Sequence, residues 1–334
     1  MSVRTQVGTN VDYDKPGKQQ GHLRVPFSHN EAGWANLLIP ITVIKHGRGP
    51  TLVATGGTHG DECEGPVALM KLARALQPEE VQGRVILIPA LNLPAVRAGK
   101  RLSPIDGVNL NRAFPGEYND SVTGLIAHYL TNVLFPLADI VMDIHSGGRS
   151  MLFLPVATLH RVPDDAQYAK MLAAAKVWGT PYVFIYADIA GEGLLPVQAE
   201  RMGKIVVTTE MGGGGECNPR VLKITERGIR NVMIQQGLLK GKIDLPPEQP
   251  LTIAATDPAD YIPAPVDGLY ESFLEVGEEV KAGEAIGQVH FPEQGNRPPE
   301  AVIARSSGIL ICRRGPGVAA QGDCVATIAR RVEV

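Results

Sequence analysis

Between residues 50 and 210 the chain alternates short apolar runs with stretches of helical periodicity, and that alternation leaves few folds open. Strand-like runs cover 50–56, 84–91, 139–144, 151–157, 182–187 and 204–210. Helical patterns, with apolar residues three or four apart, cover 66–76, 122–134, 164–178, 194–202 and, as a closing element, 220–240. Runs apolar on both faces and separated by helices predict an α/β domain whose mixed, mainly parallel sheet is covered by helices. Ligands of such sheets collect beyond the strand ends, where the chain turns into the next helix.

Two of these turns carry metal-ligand chemistry. Residues 51–65, Thr-Leu-Val-Ala-Thr-Gly-Gly-Thr-His-Gly-Asp-Glu-Cys-Glu-Gly, run a strand into a glycine turn that presents His59 and Glu62 three positions apart. Residues 138–148 deliver His145 from a second apolar strand into a Ser-Gly-Gly turn. A lone histidine at a strand end is more often a satisfied structural residue. Two of them at Gly-rich strand ends, with a carboxylate, form the His2Glu set that holds one Zn2+ per chain and leaves a position open for water. His22, His29, His46, His128, His160 and His290 have no such setting and receive no catalytic role.

The 334 residues are 44% hydrophobic and 20% charged, enough for a large core and two domains. A net charge of -3 gives no electrostatic case for nucleic acid or an anionic membrane, which leaves a small molecule as the expected partner. The first residues lack an apolar signal core and no segment reaches eighteen uninterrupted apolar residues, so a cytoplasmic location is expected. Cys63, Cys217, Cys312 and Cys324 lack paired spacing and suit a reducing compartment.

Polar residues after other strands are candidate substrate handles. The loop from Asn92 to Arg101 and the segment 106–116, with Asn111 and Arg112, stand between the two halves of the metal motif. Arginine holds a carboxylate through two parallel hydrogen bonds, and an adjacent Asn adds a donor. The strand 204–210 ends at Glu210 before four glycines. With Glu62 committed to metal, Glu210 is the carboxylate able to take a proton from water and pass it to a leaving amine.

The catalytic domain is expected over residues 1–242, followed by a Pro-, Asp- and Thr-rich linker over 243–265 and a β-rich domain over 266–334. In the last, residues 268–289 align with 308–328 at a forty-residue offset, which predicts two similar hairpins facing one another. The pattern resembles the barrel-sandwich domains of biotinyl and lipoyl carriers, with Ala264-Pro-Val-Asp-Gly268 as entry. Residues 289–305 hold no lysine to carry a prosthetic group, so a structural or oligomer-forming role is expected.

In the order His59-x-x-Glu62, Asn92, Arg101, Asn111-Arg112, His145, Glu210, the chain resembles the succinylglutamate desuccinylase/aspartoacylase family, zinc amidohydrolases related to the zinc carboxypeptidases. The resemblance covers about residues 40–330. It implies that His59, Glu62 and His145 bind zinc, that Arg101 polarises the scissile carbonyl, that Asn111 and Arg112 hold the substrate carboxylate, and that Glu210 is the general base. Asp143, two residues before the third ligand and on the same strand face, would orient an imidazole. The implied substrate is an N-acyl amino acid, and the implied reaction is loss of an acyl group, acetyl above others. Arg201 does not match the arginine with which aspartoacylases grip an acidic side chain. The overall likeness is to the branch that deacetylates N-alpha-acetyl-L-2,4-diaminobutyrate, whose side-chain ammonium calls for an acid, with Asp61, Glu117, Asp188 and Glu192 as candidates. Desuccinylation, aspartoacylase activity, a zinc carboxypeptidase and a non-catalytic carrier are the alternatives.

Overall fold

The computed structural model describes residues 4–187 and 192–333. Its main sheet is built from β1 (Gly17–Pro26), β2 (Asn36–His46), β3 (Thr51–Gly56), β4 (Gly83–Ile88), β5 (Ile140–His145), β6 (Val156–Leu159), β7 (Tyr182–Tyr186), β8 (Ile205–Glu210), β9 (Leu251–Ala255) and β10 (Cys324–Arg331). Their spatial order is β1-β2-β4-β3-β5-β8-β6-β7-β9-β10. The centre, β4-β3-β5-β8, is parallel throughout. Strands β3 and β5 are buried along their whole length, as apolar runs inside a covered sheet must be.

Helices α1 (Glu64–Ala75), α2 (Leu93–Ala98), α3 (Val122–Tyr129), α4 (Asp165–Val177), α5 (Leu195–Arg201) and α6 (Pro219–Gln235) flank the sheet. α1 follows β3 directly and buries Leu69, Leu72 and Ala73, one face at helical spacing. Asp164 caps α4 by accepting the N–H groups of Ala166 and Gln167 at 2.8 and 3.0 Å. α6 stops at Gln235 rather than running to 240, because Gly237 takes a positive φ of 75° just beyond it.

Three other expectations are revised. The helix read over 122–134 is α-helical only to Tyr129 and continues as a π turn, Leu130–Leu134. Pro136 follows that turn and has no N–H to give to the carbonyl four residues back. The strand read over 151–157 is two strands, because Pro155 cannot donate across a ladder. Met151–Phe153 pairs with Gly308–Arg314, while β6 enters the main sheet between β8 and β7. The stretch 243–265, expected as a linker, carries β9, parallel to β7 and antiparallel to β10.

The repeated hairpins are both present. Gly268–Ser272 pairs with Ala285–His290, and Gly308–Arg314 pairs with β10, each antiparallel. Tyr270, Ile286 and Val289 from the first meet Leu310, Ala326 and Ile328 from the second in one apolar core. Because β10 also pairs with β9, the hairpin unit is continuous with the catalytic sheet, and its Tyr261, Cys324 and Thr327 face the cavity described below.

Candidate active site and metal centre

The turn after β3 is shaped by close approach. Gly57 has a φ of +68°, and a Cβ at Gly60 would lie 1.9 Å from the carbonyl carbon of Ala95 in α2. The turn is thereby pressed against α2 and aims His59 and Glu62 beyond the strand end. β5 lies beside β3, so its last residue, His145, reaches the same place. β8 lies on the other side of β5 in a register that sets Glu210 directly opposite His145.

Glu62 bridges the two imidazoles. Its Oε1 lies 2.7 Å from His59 Nδ1 and its Oε2 2.8 Å from His145 Nδ1. All three side chains are buried, and one ligand atom from each lies within 4.8 Å of the others. The far nitrogens are also held. His145 Nε2 lies 2.7 Å from Asp143 Oδ2, and Asp143 Oδ1 accepts the hydroxyls of Thr55 and Thr58 at 2.7 and 2.8 Å. His59 Nε2 faces Asn109 Oδ1 at 3.1 Å. That Oδ1 also accepts the backbone N–H of Asn111 at 2.9 Å, so it is an acceptor and His59 Nε2 carries the proton. His59 Nδ1 therefore faces a carboxylate oxygen at a separation that a proton bridges in the metal-free protein and a metal ion can bridge in its place, and the donor set fits zinc.

The charges follow from the surroundings. Burial alone would raise Glu62, but His59 and His145 outweigh it and hold the carboxyl well below its usual range. Burial pushes His145 down, yet the carboxylates of Asp143 and Glu62 outweigh it, so without metal this imidazole is protonated. Burial dominates at His59, with Arg101 and His145 adding repulsion, and its affinity for a proton is lowered. Burial and the nearby charge of Glu62 push Glu210 up to about 8. Its Oε2 is buried with no hydrogen-bond partner among the described residues.

A cavity of about 260 Å3 opens over this centre. Arg101, Asn111, Arg112 and Glu210 line it with the three metal-site residues. Arg101 places Nη1 3.7 Å from Glu62 Oε1 and 3.4 Å from His59 Nδ1. Asn111 Oδ1 accepts the N–H of Leu195 at 2.8 Å, tying the start of α5 to the turn 110–112.

Not every expected residue arrives. Asn92 is fully buried and caps α2 through a 3.4 Å contact with the N–H of Ala95, away from the cavity wall. The acids expected for a side-chain ammonium are also elsewhere. Asp61 accepts the N–H of Arg149 at 2.9 Å, Glu192 is exposed and pairs with Arg201 at 3.3 Å, and Glu117 is exposed. None of the three lines the cavity, and Asp188 lies outside the described residues. Glu64, the first residue of α1, is fully buried, and burial raises its carboxyl.

Asn109 is the residue that sequence reasoning passed over. Its signal was the Asn-x-Asn spacing to Asn111, since an Asx side chain that captures the N–H two residues on shapes a turn. The aromatic cavity wall, Phe153, Phe184, Tyr186 and Tyr261, was also missed, because the first three come from strands that read only as buried and Tyr261 from the stretch read as a linker.

The catalytic-domain model of the succinylglutamate desuccinylase/aspartoacylase family matches residues 48–235. The chain is 42% identical, over 98% of its length and 96% of the relative's, to an N-alpha-acetyl-L-2,4-diaminobutyric acid deacetylase of Halomonas elongata. It is similar to the product-bound ectoine utilization protein EutE (DoeB) of Ruegeria pomeroyi, with 40% identity and a TM-score of 0.95 over 98% of this chain and 100% of that one. It is similar also to a succinylglutamate desuccinylase/aspartoacylase of Rhodobacter sphaeroides, with 38% identity and a TM-score of 0.94 over 98% and 100%. The chain belongs to the succinylglutamate desuccinylase/aspartoacylase family. It is a hydrolytic deacylase of N-acyl amino acids, and the non-catalytic carrier reading does not stand. No helix among the described residues is long and apolar enough to cross a membrane.

Proposed function

We propose that this protein deacetylates N-alpha-acetyl-L-2,4-diaminobutyrate, using a zinc ion held by His59, Glu62 and His145. The observation that carries the zinc reading is the pair of imidazole Nδ1 atoms turned onto one carboxylate, with Glu210 in register beside them. The relative from Halomonas elongata, matched over nearly the whole chain, supports the substrate. Four free cysteines suit a cytoplasmic enzyme.

When bound, zinc supplies a Lewis acid that polarises the acyl carbonyl and acidifies the attacking water. Glu210 accepts the proton of that water as its oxygen bonds to the acyl carbon. A cation neutralising Glu62 removes one cause of Glu210's raised proton affinity, so the carboxyl gives up its proton more readily and serves as base and then as acid. Arg101 donates to the carbonyl oxygen as negative charge develops there. Arg112 and the amide N–H2 of Asn111, whose Oδ1 is committed to Leu195, hold the α-carboxylate. Glu210 then gives its proton to the amine nitrogen as the C–N bond breaks, leaving acetate and a free amino acid.

An acidic side chain has no partner here. Among the described cavity-lining residues the cations are Arg101 and Arg112, and both have roles at the reacting centre. A mass-spectrometric screen of zinc-loaded protein against N-acetyl, N-succinyl and blocked dipeptide substrates tests the reading. Faster cleavage of N-acetylaspartate, N-succinylglutamate or a dipeptide overturns the substrate. No turnover on any of them overturns the activity.

A further inference from the structure

The cavity poses a problem that the proposed substrate sharpens. Its side-chain ammonium must leave water, yet the acids among the described lining residues are Glu62 and Glu210, both committed to the reaction. The threonine hydroxyls at the wall are engaged as well. Those of Thr158 and Thr208 are hydrogen-bonded to each other, that of Thr209 donates to the carbonyl of His145 at 3.1 Å, and that of Thr327 lies 3.9 Å from the Cys324 sulfur.

What the wall offers in abundance is π surface. Phe184 and Tyr186 alternate on β7 and so share one sheet face, with ring centroids 5.8 Å apart and planes inclined by 28°. Phe153, from the short strand ahead of β6, and Tyr261, from the segment that joins the hairpin unit, line the same cavity. All four pack in or against one apolar cluster. The rings are braced from behind. His160 lies 4.2 Å from Tyr186, centroid to centroid, and its Nδ1 is 3.0 Å from both carboxylate oxygens of the buried Glu200 on α5. The Tyr261 hydroxyl donates to the carbonyl of Ala255 at 3.1 Å. Such bracing limits the rotation of the rings.

We infer that the substrate's side-chain ammonium is received by the faces of Phe184 and Tyr186, with Phe153 and Tyr261 closing the cage, and that no acid among the described lining residues partners it. The inference rests on the diaminobutyrate reading above. A ring face attracts a cation through its quadrupole, repels a carboxylate, and gives a methyl group only burial. Such a cage therefore selects an amine side chain over an acidic one and over an alkyl one of equal length, which an acid-free apolar wall could not do by burial alone.

The test compares kcat/KM for N-acetyl-2,4-diaminobutyrate and N-acetylnorvaline, which puts a methyl where the first has its ammonium. Wild-type enzyme should prefer the first. Phe184→Leu and Tyr186→Leu should each lose about tenfold on it, the size of a cation–π contact in a dry site, while norvaline cleavage changes by less than about threefold. Tyr186→Phe keeps the face and should keep the preference, as should Asp188→Asn. Incorporating 3,4,5-trifluorophenylalanine at position 184 weakens the quadrupole without changing the side chain's fit, and should lower the preference even if the leucine variants do not fold. A preference that survives fluorination and both leucine changes, or that collapses in Asp188→Asn or Tyr186→Phe, overturns the cage. Wild-type enzyme that cleaves N-acetylnorvaline or N-acetylaspartate but not the diaminobutyrate compound overturns the substrate reading and the cage with it.

Discussion

Asn109 Oδ1 accepts the Nε2–H of His59 at 3.1 Å and the backbone N–H of Asn111 at 2.9 Å. One oxygen thus fixes the tautomer of a proposed metal ligand and the turn that presents the proposed carboxylate clamp. The two imidazoles are held unequally: His145 donates to a carboxylate, Asp143, whereas His59 donates to a neutral amide. Removing the shared oxygen frees both partners. Asn109→Ala should weaken zinc binding by about 10- to 100-fold, as losses behind a metal ligand typically do, and should also raise KM. Competition with a chromophoric chelator measures the first effect without reference to activity. Unchanged affinity would mean that His59 is positioned by its own turn.

The proposed metal ligands give a coarser outcome. His145→Ala removes one of them from a buried strand end, and metal content of the folded protein should fall from one equivalent toward zero. Circular dichroism establishes folding and elemental analysis establishes content. A folded variant with full zinc would place the metal elsewhere.

Arg101 and Arg112 should separate kinetically. Arg101 lines the cavity beside Glu62 and His59, and in its proposed role as donor to the acyl oxygen Arg101→Ala should lower kcat by about 100- to 1000-fold, the cost of one donor to a developing oxyanion. Arg112→Ala should act mainly through KM, and only on substrates with a free α-carboxylate. Equal losses on a carboxylate-blocked amide would remove Arg112 from the clamp.

The order of apolar runs made the sheet legible, and Gly-rich strand ends made His59, Glu62, His145 and Glu210 legible within it. What stayed hidden is what pairing decides. Glu210 and His145 are 65 residues apart, and only the parallel register of β5 and β8 sets them side by side. The acids expected for the amine were chosen by loop position, but Asp61 is spent on the backbone of Arg149 and Glu192 on Arg201. β9 was concealed by the Pro- and Asp-rich residues around it, since five residues between two strands suffice to make a ladder without a periodic pattern of their own.

The last expectation concerns pH. In the metal-free protein Glu210 holds its proton up to about pH 8, through burial and the charge of Glu62, against about 4.5 in the unfolded chain. Between those values the unfolded state binds fewer protons than the native one, so stability falls as pH rises, and the effect ends above pH 8 where both states are ionised. His145 acts in the same direction, because its raised affinity stabilises the fold fully below the unfolded value of 6.5 and is lost as pH rises through the folded one. Glu62, held low, adds stability that is already complete above pH 4.5 and does not alter the slope. His59, whose proton affinity is lowered, opposes this trend below the unfolded value of 6.5. Chelated wild-type protein should therefore show its clearest decline in Tm between pH 6.5 and pH 8, and Glu210→Gln should make that decline shallower while leaving the His145 part in place. Zinc reverses the trend, since His145 must give up its proton to bind metal and affinity then increases with pH. Scanning calorimetry of both proteins, with and without zinc, checks all four curves. A Glu210→Gln slope equal to that of the wild type would show that Glu210 is ionised well below neutrality, and it would leave the protonation of the amine to another group.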